Sequence, residues 1–176
     1  MSGRKLNIVY AGRTGDEILK EDLTGIVSDP AVIKQYYGEM SVLCREYSGI
    51  GLAANQVGLR ENFFFVAKQA KLLPTPAGIL VINPTWEPHK KGEQYVAKAE
   101  GCLSLPKPNG IGRREFNVPR WSKIVASWTD SSGNRVKPRA LTGLTAQVFQ
   151  HESDHLRGIL LTDVGEEINN TSAHTL

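Results

Sequence analysis

Two histidines four positions apart, His151 and His155, enclose Glu152 in the run Gln150-His151-Glu152-Ser153-Asp154-His155. On a helix, residues at i and i+4 share a face, so both imidazoles can reach one divalent ion with the glutamate beside it. The chemistry such a pattern supports is hydrolysis by metal-activated water, with Glu152 handling protons. It requires a third protein ligand and one open coordination position. Leu144, Val148, His151 and His155 fall at i, i+4, i+7 and i+11, so the pair extends an apolar stripe and is expected to be buried. Read alone, the pair also fits two core histidines satisfied by backbone carbonyls.

The third ligand must come from elsewhere. A metzincin would place a histidine three residues beyond the glycine that follows His155; Gly158 is present, but position 161 is Leu161. Glu166 and Glu167 follow only in a short polar tail, so the candidates lie upstream: Cys44, Cys102, His89 and assorted carboxylates. Cys102 is favoured by its setting. Gln94 to Ala99 alternates like a strand, Glu100-Gly101-Cys102 follows it, and Pro106, Pro108 and Gly110 forbid regular structure beyond. Taken alone, Cys102 equally fits a small buried hydrophobe. Cys44 falls in a helix whose apolar face is Val32, Ile33, Tyr36, Met40, Leu43 and Tyr47, and reads as core packing. Gly49-Ile50-Gly51-Leu52-Ala53-Ala54-Asn55-Gln56 could pass for a phosphate-cradling loop. It follows a helix rather than a strand, however, and lacks a third glycine and a Lys-Ser/Thr ending. Its small residues suit close approach of a substrate backbone.

Together, three blocks resemble the peptide deformylase family: Gly-x-Gly-Leu-Ala-Ala-x-Gln at 49–56, Glu-Gly-Cys-Leu-Ser at 100–104 and Gln-His-Glu-x-Asp-His-Leu at 150–156, in the family's order. Val118-Pro119-Arg120 is similar to its Val-x-Arg stretch and Gly15 to Leu19 to its opening segment, so the likeness runs from about residue 15 to 163. The resemblance implies a metal-dependent hydrolase that removes the formyl group from the N-terminal formylmethionine of new polypeptides and releases formate. It implies a metal held by Cys102, His151 and His155, Glu152 as acid and base, and Gln56 with the Leu103 backbone N–H as donors to the developing oxyanion. The working metal in the cell is expected to be iron(II), with zinc, nickel or cobalt in preparations; a thiolate ligand suits iron(II) as well as zinc. Ile50 and Gly51 are expected to pair with an extended peptide, and Leu144 and Val148 to join Ile50 around its methionine side chain. Gln147 stands where apolar residues are common in the family. Arg120 reads either as a group holding a substrate carbonyl or as a solvated strand charge. Two rivals are a zinc peptidase, which the missing histidine at 161 disfavours, and a closed structural metal site, where Glu152 and Gln56 would have no purpose.

The elements that must position these residues are a helix over 30–47 capped by Asp29 with Pro30 in its first turn, strands near 62–68 and 78–83, and a strand into Cys102. A strand pair near 113–129, turning at Ser131-Ser132-Gly133-Asn134, and a ligand-bearing helix near 143–157 stopped by Gly158 complete them. That is an α+β fold: antiparallel sheets packed around a central helix that carries the His-Glu-x-x-His motif, plus an N-terminal helix. Gln69 to Gly78 reads as a loop, Glu166 to Leu176 as a polar tail that frays, and Asp154 as a surface or supporting charge rather than a ligand. Many family members continue into a C-terminal helix at this point. At 176 residues and 40% apolar content, one domain spanning 1–176 is expected. The net charge of +3 is spread over scattered cations, which argues for at most a transient attraction to ribosomal RNA and against a dedicated nucleic-acid site. Two dissimilar cysteines form no disulfide framework, and no stretch approaches a membrane span or a secretion signal. The expectation is a cytoplasmic monomer, away from membranes, acting on N-formylmethionyl nascent polypeptides.

Overall fold

The computed structural model describes residues 5–72 and 77–168. Asp29 caps the first helix as expected, its carboxylate accepting from the Ala31 N–H at 2.8 Å with Pro30 in the first position. The segment then runs in three pieces rather than one: α1 (Pro30–Ile33), a 3₁₀ turn (Lys34–Tyr36) and α2 (Tyr37–Glu46). Of the expected apolar face, Ile33, Met40 and Leu43 are buried, with Cys44 beside them, and Tyr36 is partly buried, but Val32 and Tyr47 are exposed, because the change of winding turns them away from the core.

Among the described residues eight strands follow: β1 (Gly51–Ala53), β2 (Phe63–Val66), β3 (Ile79–Pro88), β4 (Gln94–Pro106), β5 (Arg113–Trp121), β6 (Lys123–Thr129), β7 (Arg135–Thr142) and β8 (Glu166–Glu167). They make two antiparallel sheets, one ordered β1-β2-β3-β6-β7 and one ordered β4-β5-β8. The helix α3 (Gly143–Leu156) lies among them, packed on β1, β2, β5, β6 and β7, and the short α4 (Leu161–Val164) packs on β5. The run Phe63-Phe64-Phe65-Val66 is buried throughout because both faces of β2 are covered. Phe63 and Phe65 meet Tyr36 and Tyr37 on one side, while Phe64 meets Phe149 of α3 on the other, at a ring distance of 5.2 Å.

Three expectations need correction. The segments 113–121 and 123–129 are strands but not partners: β5 pairs with β4 and β8, whereas β6 pairs with β3 and β7. Ser122 is where the chain changes sheets, its N–H and Oγ bonded to Glu93. The turn at 131–134 joins β6 to β7, a strand that polar Arg135-Val136-Lys137-Pro138-Arg139 conceals. Glu166 and Glu167, expected to begin a frayed tail, pair with Asn117 and Phe116 as an edge strand, and Arg114 grips Glu167 at 2.6 Å. The rest of the expected tail, residues 169–176, lies outside the described residues, as does 73–76 of the expected loop.

The decisive irregularities are in β4. Ala97 faces Val118 and Glu100 faces Phe116, so β4 carries one residue more than its partner, and Ala99 takes a positive φ of 54° there. The bulge puts Glu100 on the same buried side as Ala97. Between Gly101, which faces Glu115, and Pro106, which faces Arg113, three further residues are extra. Cys102, Leu103, Ser104 and Leu105 are consequently all buried, in place of strand alternation. At the far end of α3, Gly158 at φ 71° terminates the helix, donating to the His155 carbonyl at 3.0 Å. Among the described residues no helix is long and apolar enough to cross a membrane.

Candidate metal centre and active site

The bulged end of β4 meets the middle of α3. Cys102, His151 and His155 bring one sulfur and two ring nitrogens within 4.8 Å of one another, with Cys102 Sγ 3.2 Å from His155 Nε2. Bonds of about 2.0–2.3 Å to a tetrahedral ion would set such donors roughly 3.3–3.8 Å apart, so the set fits a single divalent cation. Among the described residues the set holds three members, which leaves a fourth position to water or substrate. Burial works to lower the pKa of both imidazoles. At His151, hydrogen bonds with Cys102 and Glu100 outweigh burial and carry it well above its ordinary value, while His155, with His151 beside it, falls well below.

The ligands are held from behind. His151 Nδ1 lies 2.7 Å from Glu100 Oε1, which turns Nε2 toward the sulfur. Glu100 in turn receives Arg120 Nη2 at 2.5 Å, Arg120 Nε at 3.2 Å and Gln147 Nε2 at 2.9 Å. Burial pushes the Glu100 carboxyl up, but the bonds from His151 and Arg120 reverse this and bring it down to about 2. Arg120 is only 5% exposed, and its third nitrogen reaches Asp154 at 2.5 Å. Neither expectation for Arg120 describes it: the guanidinium is neither solvated nor in the cavity wall, because two carboxylates consume it. Asp154 is the supporting charge expected of it. Sequence reasoning misses Glu100, since strict alternation along β4 points its side chain the wrong way and only the bulge corrects that.

Glu152 lies between the ligands on α3 and is 3% exposed. Burial pushes its carboxyl up to about 7, His151 pulling it down and Glu100 pushing it up further. Its Oε2 has no hydrogen-bond partner among the described residues. Gln56 sits on a 3₁₀ turn (Ala54–Val57), its Oε1 accepting from the Ala53 N–H at 2.9 Å. Its Nε2 donates to Ser104 Oγ at 3.2 Å and faces Cys102 Sγ at 3.4 Å. The turn is tied to the ligand helix by Asn55, whose Nδ2 donates to the His155 carbonyl at 2.6 Å.

A cavity of about 420 Å³ opens over this centre. Ile50, Gly51, Gln56 and Leu103 line one side, and Leu144, Val148, His151 and Glu152 the other. Leu144 is 46% exposed and His151 only part-buried, so of the expected stripe Val148 and His155 are buried and Leu144 forms the rim. β1 is the edge strand of its sheet, paired through Gly51 with Val66 on one side only. The rival ligands are elsewhere: Cys44 lies beneath Gly49, its thiol pushed up to about 12 by burial, and His89 is in the β3–β4 turn, accepting from the Lys91 N–H.

Comparison with known proteins gives a consistent result. The family model described as polypeptide deformylase matches residues 6–171. A peptide deformylase of Roseiflexus castenholzii is 34% identical over 141 residues, 74% of this chain and 72% of that protein. The crystal structure of peptide deformylase from Thermotoga maritima superposes with a TM-score of 0.73 at 30% identity, covering 92% of this chain and 98% of that one. That of a peptide deformylase from Synechococcus elongatus in complex with actinonin superposes with a TM-score of 0.74 at 29% identity, covering 94% and 81%.

Proposed function

This chain belongs to the polypeptide deformylase family, and we propose from that premise that it removes the formyl group from the N-terminal formylmethionine of new polypeptides, releasing formate and a free amino terminus. The observation that carries the reading is the convergence of Cys102, His151 and His155 beside Glu152 and Gln56, in a cavity bordered by the free edge of β1.

A divalent cation held by those three residues supplies Lewis acidity and brings the pKa of water beside it to about 7. Glu152 accepts the proton of the attacking water and returns it to the departing amine. Gln56 and the Leu103 N–H face the carbonyl oxygen as charge grows on it, each worth on the order of 3 kcal/mol to the barrier. Ile50 and Gly51 receive the peptide as an added strand on the edge of β1, and Leu144 and Val148 take its first side chain. Arg120 acts at one remove, fixing the Glu100 carboxylate that orients His151.

We further propose iron(II) as the metal used in the cell, a monomeric chain working as one catalytic domain in the reducing cytoplasm, and only transient contact with the ribosome, without a dedicated nucleic-acid site. The reading is tested by formate release from formyl-Met peptides, using metal-quantified protein prepared without oxygen. A fully loaded protein that releases no formate would rule it out.

A further inference from the structure

We propose that Gln147 is a specificity-determining residue: it gives the pocket for the first side chain a hydrogen-bonding wall, so that a formyl peptide beginning with methionine sulfoxide is accepted nearly as well as one beginning with methionine. The inference rests on the deformylase reading above and names a substrate class for it.

Leu144, Gln147, Val148 and His151 stand at i, i+3, i+4 and i+7 on α3, and all four line the cavity. Gln147 thus sits on the cavity wall between the apolar rim and the metal ligand, within the pocket proposed above for the first side chain. Its amide is clamped from both ends: Nε2 donates to Glu100 Oε2 at 2.9 Å, and Oε1 accepts from the Tyr95 hydroxyl at 3.4 Å. A primary amide carries two N–H donors and two lone pairs. The bonds to Glu100 and Tyr95 use one of each, leaving an N–H and a lone pair for a ligand.

Two consequences follow from this clamping. Because Nε2 and Oε1 of Gln147 each keep a protein partner, a thioether beside it leaves only the spare N–H without an acceptor, so methionine is not rejected. Oxidation of the sulfur creates a polar side chain with a strong acceptor oxygen, which a wholly apolar wall would strip of water without replacement. The spare N–H of Gln147 replaces that water, and Lys98, which also lines the cavity, adds a positive charge.

The test uses the metal-loaded, anaerobically prepared protein and two peptides, formyl-Met-Ala-Ser and formyl-Met(O)-Ala-Ser, with kcat/KM measured by formate release. In the natural chain the two values are expected within about 10-fold of one another, the range of weak pocket discrimination. Gln147→Met, close to isosteric but without donors, should widen the preference for unoxidised methionine by about 10-fold or more, chiefly through KM for the sulfoxide. Gln147→Leu should do the same, which guards against a peculiarity of either replacement. Formate from both peptides with a ratio that neither variant moves would overturn the proposal alone, as would a natural ratio above about 100-fold. Formate from neither peptide would overturn the deformylase reading and this proposal with it.

Discussion

Gly51 and Glu152 compete for the same space: a Cβ on residue 51 would stand 2.2 Å from Glu152 Oε1 and 2.6 Å from its Cδ. The carboxylate rests on bare backbone at the edge of β1, which is how one residue can sit beside both the metal ligands and an incoming peptide. Gly51→Ala must therefore displace Glu152 while leaving Cys102, His151 and His155 untouched. Metal content by elemental analysis should stay near that of the natural chain, while kcat falls about 10²- to 10⁴-fold, the usual worth of a positioned acid and base. Loss of metal in step with activity would move the role of Glu152 from proton carrier to ligand.

Removing the carboxylate of Glu100 touches three partners at once, Gln147 Nε2 losing its acceptor along with the two that matter most here. His151 loses the acceptor that orients its ring, and Arg120, 4% exposed at its side chain, keeps only Asp154. Glu100→Ala should weaken metal binding about 10- to 100-fold. It should also lower unfolding free energy by about 3–5 kcal/mol, because a buried charge is left without its main partner. Arg120→Met combined with Glu100→Ala should recover much of the stability but not the metal affinity, measured by denaturant titration and competition with a chelator.

Cys102→Ser replaces a thiolate by a neutral hydroxyl at a position where the other two donors are also neutral when bound. The metal then meets no ligand charge, and its affinity should fall by well over tenfold. Gln56 Nε2, 3.4 Å from the sulfur, still donates to Ser104 Oγ, and Gln56 Oε1 still accepts from the Ala53 N–H, so the fold around the site should persist. Isothermal titration with zinc on the metal-free proteins checks both halves, since an unfolded site would show no saturation at all.

The chemistry of this chain is legible in its sequence because the chemical groups sit in short contiguous blocks. His151, Glu152 and His155 need only a helix, and the 3₁₀ turn at Gln56 follows from its own small residues. What is illegible depends on pairings across many residues. Glu100 and Arg120 are 20 positions apart and meet through a bulge that alternation does not reveal. The two strands flanking Ser122 look like a hairpin because nothing local distinguishes a turn from a crossing between sheets. β7 escapes notice because an edge strand can be polar along most of its length, as Arg135, Lys137 and Arg139 make it.

The end of α3 offers a test of the fold apart from the chemistry. Gly158 has φ +71°, and a Cβ there would meet the Lys20 carbonyl oxygen at 2.4 Å and its carbon at 2.6 Å, backbone atoms that cannot swing aside. Gly133 has φ +87° in the β6–β7 turn, and a Cβ there would have nothing within 4 Å of it. Alanine at either site bears the left-handed backbone cost of about 1–2 kcal/mol, but only at 158 must the 3₁₀ turn Asp16–Lys20 also move off the helix end. For a chain of this size about 1 kcal/mol corresponds to roughly 2–4 °C in Tm. Gly158→Ala should therefore lower the Tm of the metal-free protein well beyond the shift from Gly133→Ala, and working without metal keeps ligand binding from masking the difference. Equal shifts would mean that the contact between residues 20 and 158 yields freely, and that the helix end is not fixed by the N-terminal turn.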